Sequence, residues 1–161
     1  MVKDFVKSVN GTDFPKYFEC PSKEYFESQM QKFAEYRGDL FTGGIQIKEY
    51  LDLKKYGSNT NEYRAFYLNG QVISISRNSN QPADANQPSD KLIQKYSRLQ
   101  SSFYTVDYAE CEDGSFRVIE TGDGGVSGLP EELSADMFYE KISEILHAKE
   151  NDLDSERQIN L

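Results

Sequence analysis

Tryptophan is absent from this 161-residue chain, histidine occurs once and cysteine twice. Each scarcity removes a class of function. His147, the single histidine, lies in a polar stretch near the C-terminus, so Ser-His and Cys-His hydrolase mechanisms are poorly supported. Cys20 and Cys111 stand far apart and match no metal-ligand spacing, which reads as two free thiols in a cytoplasmic protein, with a disulfide between them as the alternative. No long apolar run exists, so no transmembrane helix is expected, and the opening MVKDFVKS lacks the apolar core of a signal peptide. Positive charge is also short. The chain has 18 Lys and Arg against 27 Asp and Glu, a net charge of −9. That balance argues against a general nucleic-acid or anionic-membrane surface. It leaves room for a small nucleotide held by a local basic cluster and a metal. What the chain does have is 11 Tyr and 10 Phe, so aromatic rings carry much of the burial. Its length suffices for one ordinary domain with a core.

The most informative stretch is FYTVDYAECEDGSFRVIETGDGGVSGLP. Two apolar-alternating runs, Phe103–Glu110 and 115–120, flank Asp113-Gly114. Asp-Gly between such runs predicts a hairpin with a two-residue type I′ turn. Glu112 then pairs with Ser115, and Asp107 lies opposite Glu120 on the same face. Like charges directly opposite destabilise a sheet, so this pair calls for a cation. Carboxylate oxygens suit Mg²⁺, a hard ion commonly held by one or two carboxylates plus substrate phosphates. Asp123 follows in a glycine-rich turn as a further oxygen donor. The plain alternative is an exposed acidic edge with Asp123 capping a turn.

The remaining order is mixed α and β. Residues 2–6 read as a short strand. Ser22 caps a helix over Lys23–Arg37 with Phe26, Met30 and Phe33 on its apolar face and Gly38 as its stop. Residues 44–53 alternate Ile45, Ile47, Glu49, Leu51 and Leu53 and read as a strand. Glu62–Leu68 and Gln71–Arg77 form a second hairpin across Asn69-Gly70, with Glu62 opposite Arg77 and Arg64 opposite Ile75. Residues 78–88 are polar with two prolines and read as a mobile loop. Ser89 caps a helix to about Gln100 with Leu92, Ile93, Tyr96 and Leu99 inward. Ser134 caps a last helix with Phe138, Ile142, Ile145 and Leu146 as its stripe, and residues 147–161 form a polar tail.

The segments VKDFVKS, IKEYLDL, NEYRAFYLNG and IETGDGGVSGLP, taken in order, resemble the catalytic part of an ATP-grasp protein. The likeness is to a small, poorly characterised bacterial and phage-type clade, and it runs from Lys3 to about Pro130. It implies an α+β fold with two β-containing lobes, 1–53 and 54–146, antiparallel hairpins and about three helices around a nucleotide cleft. It also implies site residues. Lys3 falls where the superfamily places a phosphate-contacting lysine, with Lys7 and Ser8 as weaker candidates. Lys48, Glu49 and Leu51 fall at the hinge that meets the adenine edge. Glu62 falls where a carboxylate accepts the ribose hydroxyls, although a cross-strand ion pair with Arg77 accounts for it equally well. Arg64 shares the inward face with Phe66 and needs a counter-anion, which a phosphate or a metal-site carboxylate supplies. Asp107 and Glu120 fall on the metal ligands.

Two departures qualify the resemblance. Gly122 stands where the superfamily often has a ligand asparagine, leaving Asp123 as its replacement. The usual N-terminal domain, which helps to bind the acceptor, is expected from a partner chain or a longer parent, or is lost in a shortened relative. The implied activity is a carboxylate–amine type ligase. ATP phosphorylates a carboxylate to an acylphosphate, an amine displaces phosphate, and Mg²⁺, Arg64 and Arg77 stabilise the developing charge. The runner-up is a non-catalytic nucleotide-binding or protein-interaction module on the same fold.

Overall fold

The computed structural model of the chain describes residues 1–4, 8–9, 11–15 and 17–159, with side chains placed through residue 149. Phe5, Val6 and Lys7 lie outside the described residues, so the far end of the expected first strand and the candidate Lys7 are not placed. Among the described residues there are three α-helices and eight strands, all paired antiparallel, an α+β architecture. The chain divides into two compact units, Met1–Leu51 and Asp52–Leu161.

The first unit is built on α1 (Lys23–Arg37), which Ser22 caps by accepting from the Tyr25 N–H and which Gly38 ends at φ +48°. Phe33 is fully buried against Phe14 and Val2, while Phe26 and Met30 of the expected apolar face are only half-buried. Strands β1 (Val2–Lys3) and β2 (Gln46–Ile47) form a two-residue ladder. The long strand expected over 44–53 is therefore reduced to β2 and an isolated bridge from Leu53 to Cys111. Its partner β1 pairs over just two residues, and Ile47 stays 63% exposed.

The second unit opens with a small hairpin absent from the sequence expectations, β3 (Lys55–Tyr56) and β4 (Asn59–Thr60). A four-stranded sheet follows, in the order β6-β5-β7-β8, from β5 (Glu62–Leu68), β6 (Gln71–Arg77), β7 (Phe103–Glu110) and β8 (Phe116–Asp123). Alternation along a strand sends neighbours to opposite faces. One face carries Ala65, Tyr67, Tyr104, Val106 and Tyr108, which pack with Ile93 of α2 (Asp90–Lys95). The other carries Arg64, Phe66, Phe103, Thr105, Asp107 and Glu120. Phe138 of α3 (Ala135–Ile159) covers one end of that face, edge to Phe66 at 4.8 Å between ring centres.

Both hairpins differ from expectation in a way that matters. Asn69 and Gly70 have φ +50° and +82°, as a type I′ turn requires, but a bulge beyond Tyr67 shifts the register. Arg77 consequently faces Tyr63 rather than Glu62, and Arg64 faces Ser76 rather than Ile75. In the β7–β8 hairpin Cys111 pairs with Ser115 across a three-residue loop, with Gly114 at φ +79°. Asp113 accepts from the Ser115 N–H and hydroxyl, which selects that longer turn. This offsets the pairing by one residue near the turn. A bulge between Val118 and Glu120 restores it, so Asp107 does lie opposite Glu120.

Three further expectations change. Helix α2 stops at Lys95, because Tyr96 leaves helical geometry and its carbonyl accepts from the Tyr104 hydroxyl; Leu99 is 40% exposed rather than inward. The loop at 78–88 is irregular but pinned: Gln81 is buried and donates to the Glu62 carbonyl, and Asn86 donates to Glu110. Helix α3 continues to Ile159 through the stretch read as a polar tail, and of its expected stripe Leu146 is exposed.

Candidate functional site

The polar face of the four-stranded sheet holds a row of charges in register across three strands. Arg64 on β5 faces Asp107 on β7, which faces Glu120 on β8. Arg64 grips Asp107 with both arms of its fork, Nε to Oδ1 at 2.8 Å and Nη2 to Oδ2 at 2.7 Å. Bidentate charge-assisted pairs of this kind are among the strongest polar contacts. The Asp107 side chain is 7% exposed and that of Arg64 20%. The Asp107 hydrogen bonds raise the Arg64 pKa above its ordinary value, and the nearby negative charges of Glu120 and Glu62 add to that shift.

A strap of residues 124–133 crosses this row. Gly124 lies against Phe103 so closely that a Cβ would sit 2.8 Å from its ring. Ser127 meets the Thr105 hydroxyl at 3.0 Å. The Gly128 carbonyl accepts from Arg64 Nη1 at 3.0 Å. Glu132 then reaches the edge strand β6, where it accepts from Arg77 Nε at 2.7 Å and from the Arg77 backbone N–H. Arg77 also donates to the Gln81 carbonyl. Burial opposes ionisation of Glu132, but the Arg77 hydrogen bonds prevail and hold its pKa below the usual carboxylate value.

The structure thus brings Arg64, Asp107 and Glu120 together, with Glu62 on the same face of β5. Glu62 accepts from the Thr60 hydroxyl at 2.6 Å. Arg77 stands on the opposite pleat, committed to Glu132. Asp123 pairs with Tyr104, also on the opposite pleat from Glu120, and its carboxylate accepts from the Gly125 N–H at 2.7 Å in a local turn. Asp107, Glu120 and Asp123 therefore do not converge; among the described residues no group of three His, Cys, Asp or Glu side chains could hold a metal ion. On the site face beside Glu120 stands Gly122. A Cβ there would lie 3.1 Å from Thr105 Oγ1 and 3.3 Å from Ser127 Oγ, so two hydroxyls fill the space of the missing side chain.

In the first unit Lys3 stands on β1 opposite Gln46, and Lys48 follows β2, exchanging backbone hydrogen bonds with Met1. Glu49 is exposed and Leu51 half-buried. Ser8 donates to the Val2 carbonyl at 2.6 Å. Asp4 is fully buried, accepting from Arg37 Nε at 2.8 Å and the Thr42 N–H at 3.3 Å.

Two polar features had no signal in the sequence. Glu110, fully buried, accepts from Lys54 at 3.0 Å, Asn86 at 2.7 Å, Asn61 at 2.8 Å and Tyr56 at 3.2 Å. Burial raises its pKa, and these hydrogen bonds outweigh burial to give a net lowering. A cavity of about 500 Å³ is lined by the uncharged residues Asn86, Gln87, Ser89, Leu92, Gly114 and Phe116.

Two-carboxylate chemistry at this row fits a magnesium ion. A carboxylate offers about four lone-pair sites, of which the Arg64 fork uses two. Mg²⁺ is satisfied by one or two carboxylates with water and phosphate oxygens. An α+β chain with an antiparallel sheet that presents arginine beside paired carboxylates has the makings of a nucleotide-binding domain. A family model for an ATP-grasp domain, the third family of its clade, matches residues 2–142, and the chain belongs to that family. It is an ATP-grasp domain, of an ATP-binding, ligase-type class. No curated protein matches the chain.

Proposed function

We propose that the chain binds Mg-ATP and serves as the nucleotide-binding part of a carboxylate–amine type ligase. The observation that carries this reading is the in-register row Arg64–Asp107–Glu120 in a chain of the ATP-grasp family. Asp107 and Glu120 hold the ion, and Asp123, turned to the other pleat, serves the strap. A bound Mg²⁺ supplies charge neutralisation for the phosphates. Arg64 stabilises charge developing on the transferred phosphoryl group, while Arg77, on the opposite pleat, anchors the strap through Glu132. Lys3 meets the phosphates, the backbone from Lys48 through Glu49 to Leu51 meets the adenine edge, and Glu62 meets the ribose. The acceptor is a carboxylate activated as an acylphosphate, and an N-terminal domain or partner chain contributes to binding it. Two free cysteines support a cytoplasmic setting, and no described helix is long and apolar enough to cross a membrane.

One observation favours the runner-up, a binding module without catalysis. Arg64 already neutralises Asp107, and Gly122 offers no side chain to the ion. Calorimetry with ATP and Mg²⁺, followed by phosphate release with candidate carboxylates and amines, separates the two. Heat with turnover supports the ligase; heat without turnover supports the binding module. Absence of heat and of any rise in melting temperature at millimolar Mg-ATP defeats both.

A further inference from the structure

Arg64 touches both the carboxylate row and the strap. Its Nε and Nη2 bind Asp107, and its Nη1 binds the Gly128 carbonyl. Two side chains of the strap anchor it on either side of that point. Ser127 meets Thr105 over β7, and Glu132 meets Arg77 at the β6 edge. Next to Ser127, Val126 is 86% exposed. The middle anchor therefore depends on a guanidinium held in place by Asp107.

Building on the Mg-ATP reading above, we propose that Arg64 is a cation-released tether: occupation of Asp107 by a divalent cation frees the strap at Gly128. The physics is direct. A divalent charge beside Asp107 repels the guanidinium and competes for the same oxygens. An arginine that retreats from Asp107 loses the fork that fixes its plane, so Nη1 no longer points at the Gly128 carbonyl. The strap then hangs from the turn at Asp123, from Ser127 and from Glu132. Before the cation arrives, the same arginine serves as resident counter-ion and keeps the strap drawn over the row. The strap is thus a ligand-responsive cover whose state reports the charge on Asp107.

The absence of tryptophan makes this measurable. Val126→Trp places a single indole on the exposed crest of the strap, and its fluorescence anisotropy reports local mobility. Titration with MgCl₂ and ATP is expected to lower the anisotropy as calorimetric heat develops. Adding Arg64→Lys keeps the charge beside Asp107 but removes the planar fork. The anisotropy then starts low and does not respond. Ser127→Ala removes the neighbouring anchor and leaves Arg64 in place, so it lowers the starting value but keeps the response; it decides the matter if the lysine variant does not fold. Calorimetric heat with unchanged anisotropy in Val126→Trp overturns the tether and leaves the Mg-ATP reading standing. No heat at all overturns both.

Discussion

Asp107→Asn separates a cation site from a structural ion pair. In the free protein Asp107 receives two charge-assisted bonds, at 2.8 and 2.7 Å, from a partly buried arginine. The asparagine keeps one acceptor and turns an NH₂ toward the second guanidinium arm. One bond is lost, the other weakens, and Arg64 keeps its charge without a matching anion. Hydrogen bonds to charged groups are worth about 1.5–3 kcal/mol, and the arginine is only part-buried, so a loss of roughly 2–3 kcal/mol is expected. Urea unfolding should report this as a lower midpoint with unchanged slope. Arg64→Met alone should cost a similar amount, because it strands the carboxylate. The pair Arg64→Met with Asp107→Leu should recover much of the loss, since an apolar pair of similar volume needs no desolvation compensation. Glu120 is exposed, so Glu120→Gln should change apo stability by no more than about 0.5 kcal/mol. Yet both Asp107→Asn and Glu120→Gln should weaken Mg-ATP binding, measured calorimetrically in parallel. Stability equal to wild type in Asp107→Asn and Arg64→Met refutes the ion pair. Nucleotide affinity equal to wild type in Glu120→Gln refutes the carboxylate row as a cation site.

Glu110→Gln should destabilise the fold more than an average substitution, by about 3 kcal/mol or more, because one amide cannot accept from all four donors now converging on the carboxylate. Since its folded pKa is lowered, the stability it contributes is present above the ordinary carboxylate range and is lost as pH falls through the folded value. Acid unfolding of wild type and Glu110→Gln should therefore converge at low pH, and parallel curves would contradict this. Gly124→Ala places a methyl 2.8 Å from the Phe103 ring and should cost roughly 1–3 kcal/mol in thermal unfolding. Gly114→Ala meets no neighbour but carries the strain of φ +79°, at about 1 kcal/mol. Mg-ATP at a hundredfold excess over its dissociation constant should stabilise the protein by about 2.7 kcal/mol, read as a rise in melting temperature.

Local chemistry was legible in the sequence. Ser22 and Gly38 bound α1, Asn69-Gly70 makes its type I′ turn, and the alternation in β7 and β8 sets Asp107 against Glu120. That last pairing survives although the loop is one residue longer than Asp-Gly implies, because the bulge at Ile119 compensates. Bulges are settled by how a strand packs, so neither they nor the true partners of Arg77 and Glu62 could be read from turn residues. The same limit hid the pleat of Asp123. The partner of Arg64 was a different matter. The sequence demanded a counter-anion there without naming it. Strands β5 and β7 are adjacent in the sheet but not in the chain, so Asp107, 43 residues away, becomes that anion only through sheet order. The strap from Gly124 to Glu132 and the donors around Glu110 belong to the same class. They join residues distant in sequence whose side chains carry no periodic signal. Turn chemistry and alternation act over a few residues and are written locally; which charges meet is decided by the packing of the whole sheet.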